Sequence, residues 1–157
     1  MSDAPTPRPP NLVRATWVGE HSFESGRPGG PTARIDGSGR TGPSPPDALL
    51  SAVACCSGID VVDVLAKRRT PVERLEVNVT GYRVETTPRR YHHIVLEFLI
   101  DGAGIERAHA ERAVELSLTK YCSVHASLDH GILTEWSVVL NGEQPAAGPA
   151  QLDASSR

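Results

Sequence analysis

Three cysteines are the residues of this chain with the widest choice of chemistry. Cys55 and Cys56 are adjacent in one apolar stretch, and Cys122 follows much later in a second one. A thiolate is a nucleophile and a metal ligand, whereas a buried thiol often serves only as a small apolar packing residue. Redox chemistry, metal binding and plain burial are therefore the three roles to weigh. An odd number of cysteines argues against a structural framework of disulfides.

The first two cysteines lie in the stretch 44–69, SPPDALLSAVACCSGIDVVDVLAKRR. Prolines and Asp47 precede its first apolar residue, which is the pattern of a helix N-terminus. Successive residues of a helix turn by about 100°, so Cys56 and Asp60 share one face while Cys55 points elsewhere. We predict a long helix that is buried on most sides, with Cys55 as a packing residue.

A second helix is predicted from about Ile105, and it brings Cys122 to the protein interior. The residues of its predicted buried stripe are Ala110, Val114, Ser117, Leu118 and Tyr121. The segment 122–128 either continues this helix or begins a short new one.

Alternating apolar residues predict strands at 11–20, 21–25, 32–36, 74–85, 94–100 and 133–140. The strand 74–85 changes its apolar face at Gly81, which predicts a β-bulge there, and it should pair antiparallel with 94–100. No strand–helix–strand unit repeats, so the fold class is α+β. We expect one domain, 11–141, between disordered tails at 1–10 and 142–157, because the tails are rich in Pro, Ala, Gly and Ser.

The composition excludes several classes of partner. The net charge is -3, and the only basic run is 67–69, which argues against nucleic acid as the main partner. The longest uninterrupted apolar runs are shorter than a membrane span, and the first residues lack a signal peptide pattern. We therefore expect a cytoplasmic protein that does not bind membranes.

The largely apolar first helix raises a packing problem. A domain of this size with so few predicted strands offers cover for only part of the helix surface. A homodimer that buries the helix against its symmetry mate would supply the missing cover. We therefore predict a homodimer.

Two segments resemble the OsmC/Ohr superfamily: 44–69, quoted above, and TKYCSVHASL at 119–128. The resemblance covers about residues 13–140. It implies an intertwined α+β homodimer, in which antiparallel sheets wrap two long central helices and the active sites lie at the subunit interface.

The resemblance also implies an activity. Characterised members reduce organic hydroperoxides with a pair of cysteines, without a cofactor. By position, Cys56 would be the peroxidatic cysteine and Cys122 the resolving cysteine. Cys56 would attack the peroxide as a thiolate and become a sulfenic acid, and Cys122 would condense with it to a disulfide. An external dithiol would then reduce that disulfide.

Supporting residues follow less directly from the resemblance. Peroxidase members hold the thiolate with an arginine, which a glutamate at the helix start positions. Here Asp47 stands at the helix start, and Arg27 and Arg34 are the candidate arginines, with Arg40 a poorer match. Asp60 shares the face of Cys56 and would oppose thiolate formation unless it is paired.

Two alternatives remain open at this stage. The chain would be an OsmC-like dimer of little or no peroxidase activity that binds a small molecule at its interface. Alternatively, Cys56 and Cys122 would bind zinc together with His125. The spacing matches no recognised zinc pattern, so we predict no metal, and His125 is expected to be a polar neighbour of the thiol or a helix-surface residue.

Overall fold

The computed structural model of the protein describes residues 8–152. In chain order the elements are β1 (Arg14–Gly19), β2 (Ser22–Gly26), β3 (Thr32–Asp36), α1 (Pro45–Lys67), β4 (Arg74–Arg83), β5 (Tyr91–Asp101), α2 (Arg107–Leu116), a π-helical turn (Ser117–Tyr121), α3 (Ser123–Ala126), β6 (Leu133–Leu140) and β7 (Ala150–Gln151). The predicted α+β class is confirmed. The chain divides into two units, 8–48 and 49–152 within the described part, and each is described by itself.

The N-terminal unit is an antiparallel sheet in the order β1-β2-β3. Asp36 ends β3, and its carboxylate accepts hydrogen bonds from the backbone N–H and the hydroxyl of both Ser38 and Thr41. These bonds hold the pKa of Asp36 far below its usual value, with the Ser38 and Thr41 hydroxyls as the largest causes. The loop that leads to α1 is therefore fixed by one ionised side chain.

The C-terminal unit contains a four-stranded sheet in the order β4-β5-β6-β7. β4 and β5 are antiparallel, as predicted, but β5 and β6 run parallel. A parallel pair needs a long crossover, and here α2, the π-helical turn and α3 form it. Because β5 alternates strictly, one face of the strand is buried, with Ile94, Leu96, Phe98 and Ile100 in the core.

Helix α1 is buried along one face only. Val53, Val61 and Leu65 are fully buried, whereas Ile59 is 62% exposed and Val62 is exposed as well. The prediction of burial on most sides is therefore wrong for the single chain. The reason is that this chain supplies one layer of cover, and the remaining apolar surface of α1 faces outward.

The length of α1 also bears on the predicted absence of a membrane span. At 23 residues and with few charges, α1 is long and apolar enough to cross a bilayer by length and composition alone. The uninterrupted apolar runs of the sequence are shorter than the helix, because Asp60 breaks the run inside it. The core helix of a soluble protein passes the same test, and the buried face of α1 belongs to such a core.

The predicted bulge at Gly81 is displaced. Gly81 pairs regularly with Ile94, and the register shift falls between Tyr82 and Arg83. Gly81 is needed for a different reason: a Cβ atom there would clash with the ring of Tyr91. A close side-chain approach, and not a bulge, explains the glycine.

The predicted tails are only partly described. Residues 1–7 and 153–157 of the predicted disordered segments lie outside the described residues. In the remainder, Ala150 pairs with Trp136 as part of the short strand β7, which the sequence analysis did not predict. The predicted extent of the domain, 11–141, stays a prediction.

We expect Phe98→Ala to lower the free energy of unfolding by about 3–5 kcal/mol, because Phe98 is fully buried and its loss leaves a cavity. The exposed His92 on the same strand is the matched control, and His92→Ala should change stability by less than about 0.5 kcal/mol. Chemical denaturation at one fixed protein concentration measures both. Equal losses for the two variants would contradict the core assignment.

Candidate active site

The C-terminal unit brings two of the cysteines together. The sulfur atoms of Cys56 and Cys122 and a carboxylate oxygen of Asp60 all lie within 4.8 Å of one another. Cys122 is 3% exposed, and Cys56 and Asp60 are half-buried. Two thiols and one carboxylate thus share a single sheltered cluster.

Cys56 and Asp60 owe their positions to the regular geometry of α1. Residues four apart on a helix lie on the same face, one turn above the other. Cys56 and Asp60 are spaced in this way, whereas Cys55 is exposed and belongs to another side of the helix.

Cys122 is positioned by the π-helical turn that follows α2. Its backbone N–H donates to the carbonyl of Ser117 at 2.8 Å, which is the five-residue hydrogen bond of a π-helix. The wider turn shifts the helical register, so Tyr121 is exposed although the sequence placed it in the buried stripe. Cys122 itself has an extended backbone and caps the start of α3 with its sulfur. The segment 122–128 therefore starts a new helix.

The buried side chain of His125 joins α3 to the π-helical turn and to β6. Its ring Nδ1 lies 2.9 Å from the Leu118 carbonyl, and Nε2 lies 3.2 Å from the Thr134 hydroxyl. Since a carbonyl only accepts, Nδ1 carries the hydrogen in this arrangement. The residue is almost fully buried, so the expectation of a helix-surface position is wrong. The contact of His125 with the thiol is made by its backbone N–H, which donates to Sγ of Cys122 at 3.4 Å.

Ser117 and Ser123 are site residues that the sequence reasoning missed. The Ser117 hydroxyl donates to Oδ2 of Asp60 at 2.9 Å and lies 3.3 Å from the Ser57 carbonyl. The Ser123 hydroxyl lies 4.0 Å from Sγ of Cys56. The signal for Ser117 was a polar residue in an otherwise apolar stripe, and the signal for Ser123 was its place directly after Cys122.

The cluster carries negative charge without a nearby cation from its own unit. Among residues 49–152, no basic nitrogen lies within ion-pairing distance of Asp60. Burial raises the pKa of Cys122 to about 12, and the neighbouring Cys56 and Asp60 act in the same direction, while the N–H of His125 opposes them. Cys122 is therefore a neutral thiol at physiological pH.

The candidate arginines belong to the N-terminal unit, and each has a polar partner there. Arg34 forms an ion pair with Glu24 at 2.6 Å, which lowers the pKa of Glu24. Arg27 donates to the side chain of Asn11 at 3.2 Å. Arg40 lies 3.2 Å from Glu20 at the surface. The assignment of an arginine to the thiolate stays a prediction.

Asp47 is engaged at the start of α1. The Ser44 hydroxyl donates to Oδ2 of Asp47 at 2.6 Å, and the Asp47 N–H lies 3.4 Å from that hydroxyl oxygen. The Ser44 hydroxyl thus accepts from one of the free backbone N–H groups at the start of the helix. A role for Asp47 in positioning an arginine likewise stays a prediction.

An apolar groove lies between α1 and β4, on the side of Cys55. It has a volume of about 520 Å³ and is lined mainly by apolar side chains, among them Ile59, Val62, Leu75 and Val77. Apolar grooves of this kind mark surfaces that bind another molecule. Cys55, predicted to be a packing residue, lines this groove and is exposed in the single chain.

Comparison with known proteins gives one consistent family. The sequence model of the family described as OsmC-like protein matches residues 36–137. Protein YhfA of Escherichia coli K12 is 40% identical over 121 residues, which are 76% of this chain and 90% of YhfA.

Two solved structures agree with this result. A hypothetical protein from Aquifex aeolicus is 28% identical with a TM-score of 0.74, over 85% of this chain and 99% of that one. An OsmC-like protein from Mycoplasma pneumoniae is 19% identical with a TM-score of 0.71, over 82% and 95% of the two chains, and it shows the likeness of the fold alone.

The raised pKa of Cys122 predicts an unusual pH dependence of its alkylation. In the folded protein the rate with iodoacetamide should rise about tenfold per pH unit from about pH 8 to about pH 10, because only the thiolate reacts. In the urea-unfolded protein the rate should level off above the ordinary thiol pKa of about 8.5. Mass spectrometry of the peptide that contains Cys122 measures both rates. A plateau near pH 9 in the folded protein would contradict the assignment.

Proposed function

This chain belongs to the OsmC-like protein family, and from that premise we propose that it reduces organic hydroperoxides with Cys56 and Cys122 as its redox pair. The observation that supports the proposal is the approach of the two sulfurs within 4.8 Å. A disulfide requires such an approach, since its Cβ atoms are only about 4 Å apart.

The first step takes place at Cys56. Its thiolate attacks the distal oxygen of the hydroperoxide, so an S–O bond forms, the O–O bond breaks and the alkoxide leaves as the alcohol after taking up a proton. Cys56 suits this role better than Cys122 because it is more exposed and its sulfur faces the Ser123 hydroxyl. The organic group of the substrate requires an apolar surface beside Cys56.

The second step joins the two cysteines. The Cys122 sulfur attacks the sulfenic sulfur of Cys56, an S–S bond forms, and the oxygen leaves as water with the proton of Cys122. Asp60 is close to both sulfurs and is held by Ser117, so its carboxylate is placed to carry that proton to the leaving oxygen. An external dithiol then reduces the disulfide, and no cofactor is needed. We infer a cytoplasmic location because thiol reductants maintain such a cycle there.

A neighbouring positive charge stabilises a cysteine thiolate. We propose Arg27 or Arg34 for this role, with Asp47 as the residue that positions it. Arg27 is the better candidate, because its hydrogen-bond partner Asn11 is neutral whereas Arg34 already pairs with Glu24. Arg40, paired with Glu20 at the surface, is the weakest of the three.

The second candidate function is a dimer that binds a small molecule without reducing peroxides. The specific observation in its favour is the negative cluster around Asp60, which has no basic partner among residues 49–152. A carboxylate without a counter-charge disfavours a second negative charge beside it. Peroxide titration separates the two functions.

One equivalent of cumene hydroperoxide should reduce the number of free thiols from three to one, because Cys56 and Cys122 form a disulfide. Titration with a thiol reagent measures the loss, and peptide mapping identifies the pair. In Cys122→Ser the sulfenic acid of Cys56 should persist and be trapped by dimedone. In the control Cys55→Ser both remaining thiols should disappear. Retention of all three thiols in the unmodified protein would favour the non-peroxidatic dimer.

We also propose that the protein is a homodimer whose interface includes the groove between α1 and β4. The groove is apolar, and the large exposed side chain of Ile59 lies in its wall. A second copy of the chain is the occupant that the family resemblance implies.

Ile59→Asp should therefore shift the protein from dimer to monomer, because a buried unpaired carboxylate costs several kcal/mol. Light scattering after gel filtration measures the mass. Leu133→Asp is the matched control, since Leu133 is also exposed but does not line the groove, and this variant should stay dimeric. A monomeric unmodified protein would overturn the proposed interface.

A further inference from the structure

The cluster of Cys56, Asp60 and Cys122 has the donor set of a metal site. Two sulfurs and one carboxylate oxygen lie within 4.8 Å of one another. Around a tetrahedral zinc ion, with Zn–S near 2.3 Å and Zn–O near 2.0 Å, neighbouring donor atoms are roughly 3.5–4 Å apart. The upper limit of 4.8 Å on the observed separations is compatible with this spacing, and small rotations of the half-buried Cys56 and Asp60 side chains would bring the donor atoms to it.

The charge of the cluster also fits a cation. The carboxylate of Asp60 is half-buried, and residues 49–152 place no lysine, arginine or histidine nitrogen within ion-pairing distance of it. Carboxylates removed from water are stabilised by a counter-charge or by a metal. A divalent cation would supply the positive charge that this unit does not provide.

Two of the three donors are already oriented by neighbouring groups. The Ser117 hydroxyl donates to Oδ2 of Asp60, and the His125 N–H donates to Sγ of Cys122. Hydrogen bonds of this kind fix the direction of metal ligands and are typical of metal sites. Ser117 and His125, which donate these two bonds, are both buried.

We propose that the reduced protein binds one thiophilic divalent cation of the Zn²⁺ class through Cys56, Asp60 and Cys122. Three protein ligands leave a fourth position open to water or another small ligand. His125 is not the third ligand, because both of its ring nitrogens bond to Leu118 and Thr134. Asp60 takes the place that the sequence reasoning gave to that histidine.

Binding and oxidation exclude each other at this site. Zn²⁺ binding releases the two thiol protons and forms two metal–sulfur bonds. Two-electron oxidation of the pair by a hydroperoxide forms the S–S bond, converts the peroxide with two protons to alcohol and water, and frees the cation. The metal would therefore protect the reduced pair, and an oxidant would release the metal.

The test uses the full chain, reduced and then freed of metal by a chelator. Zn²⁺ is titrated in competition with a chromophoric chelator, and Co²⁺ serves as a spectroscopic probe because sulfur ligation gives intense charge-transfer absorption. We expect one ion per chain and sulfur-to-cobalt bands. Cys56→Ser and Cys122→Ser should abolish these bands, and Asp60→Asn should weaken Zn²⁺ binding at least ~10-fold.

Matched controls lie on the same helix. Cys55→Ser and Asp63→Asn carry the same chemical changes outside the cluster and should leave affinity and spectra unchanged. Ser117→Ala should weaken binding by about 10–100-fold, because it removes the bond that orients Asp60. No retained Zn²⁺, or binding that survives in Cys56→Ser, would overturn the proposal.

This inference does not rest on peroxidase activity, and the two can fail separately. Metal binding is measured without peroxide, and thiol loss is measured in metal-free protein. A protein that binds Zn²⁺ but keeps all its thiols under peroxide supports the metal site and refutes the peroxidase. The reverse result refutes the metal site alone.

Discussion

The hydrogen bond from the Cys122 N–H to the Ser117 carbonyl is the constraint on which the site depends. It closes a turn one residue wider than an α-helical turn, and this turn ends the helical path that began at α2. Cys122 leaves the helix with an extended backbone and its sulfur caps α3. A continuous α-helix would have carried the sulfur to a different face, away from the residues of α1 that it now approaches.

Ser117, the first residue of the π-helical turn, also affects the electrostatics of the site. Ser117 holds Asp60 with its hydroxyl and holds Cys122 with its carbonyl, so one residue aligns an acid and a thiol. The arrangement concentrates negative charge and keeps Cys122 protonated. The proposed peroxidase would receive a compensating positive charge from an arginine, and the proposed metal site would receive it from the ion. The proposed arginine and the proposed metal ion would both compensate the negative charge of Asp60.

Much of the architecture could be predicted because the local patterns were strong. Strict alternation marked β5, and proline with Asp47 marked the start of α1. The long-range features had no such signal. The parallel pairing of β5 with β6 depends on a crossover, and β7 gains its place only by pairing with β6. Local periodicity contains no information on either partner.

In the site, too, the features with a local sequence pattern could be predicted, and those that depend on long-range contacts could not. Helical spacing placed Cys56 and Asp60 on one face, and the α1 geometry agrees with that spacing. The π-helical turn breaks the 3.6-residue period, so projection misplaced Tyr121. Ser117 stood out only as a polar residue in an apolar stripe, and the pattern did not show that its hydroxyl donates to Asp60. Of the two positions expected for His125, the neighbour of the thiol agrees with the structure and the helix surface does not. Its burial had no sequence signal, because its ring partners Leu118 and Thr134 become neighbours only after the chain has folded.

The parallel pairing of β5 with β6 has a consequence for how the chain folds. The segment between these strands carries Cys122, while Cys56 precedes both strands. Non-local parallel pairing is a slow event compared with helix or hairpin formation. During folding the two sulfurs therefore stay apart until the crossover docks, so the cluster of Cys56, Asp60 and Cys122 is among the last parts of the unit to form.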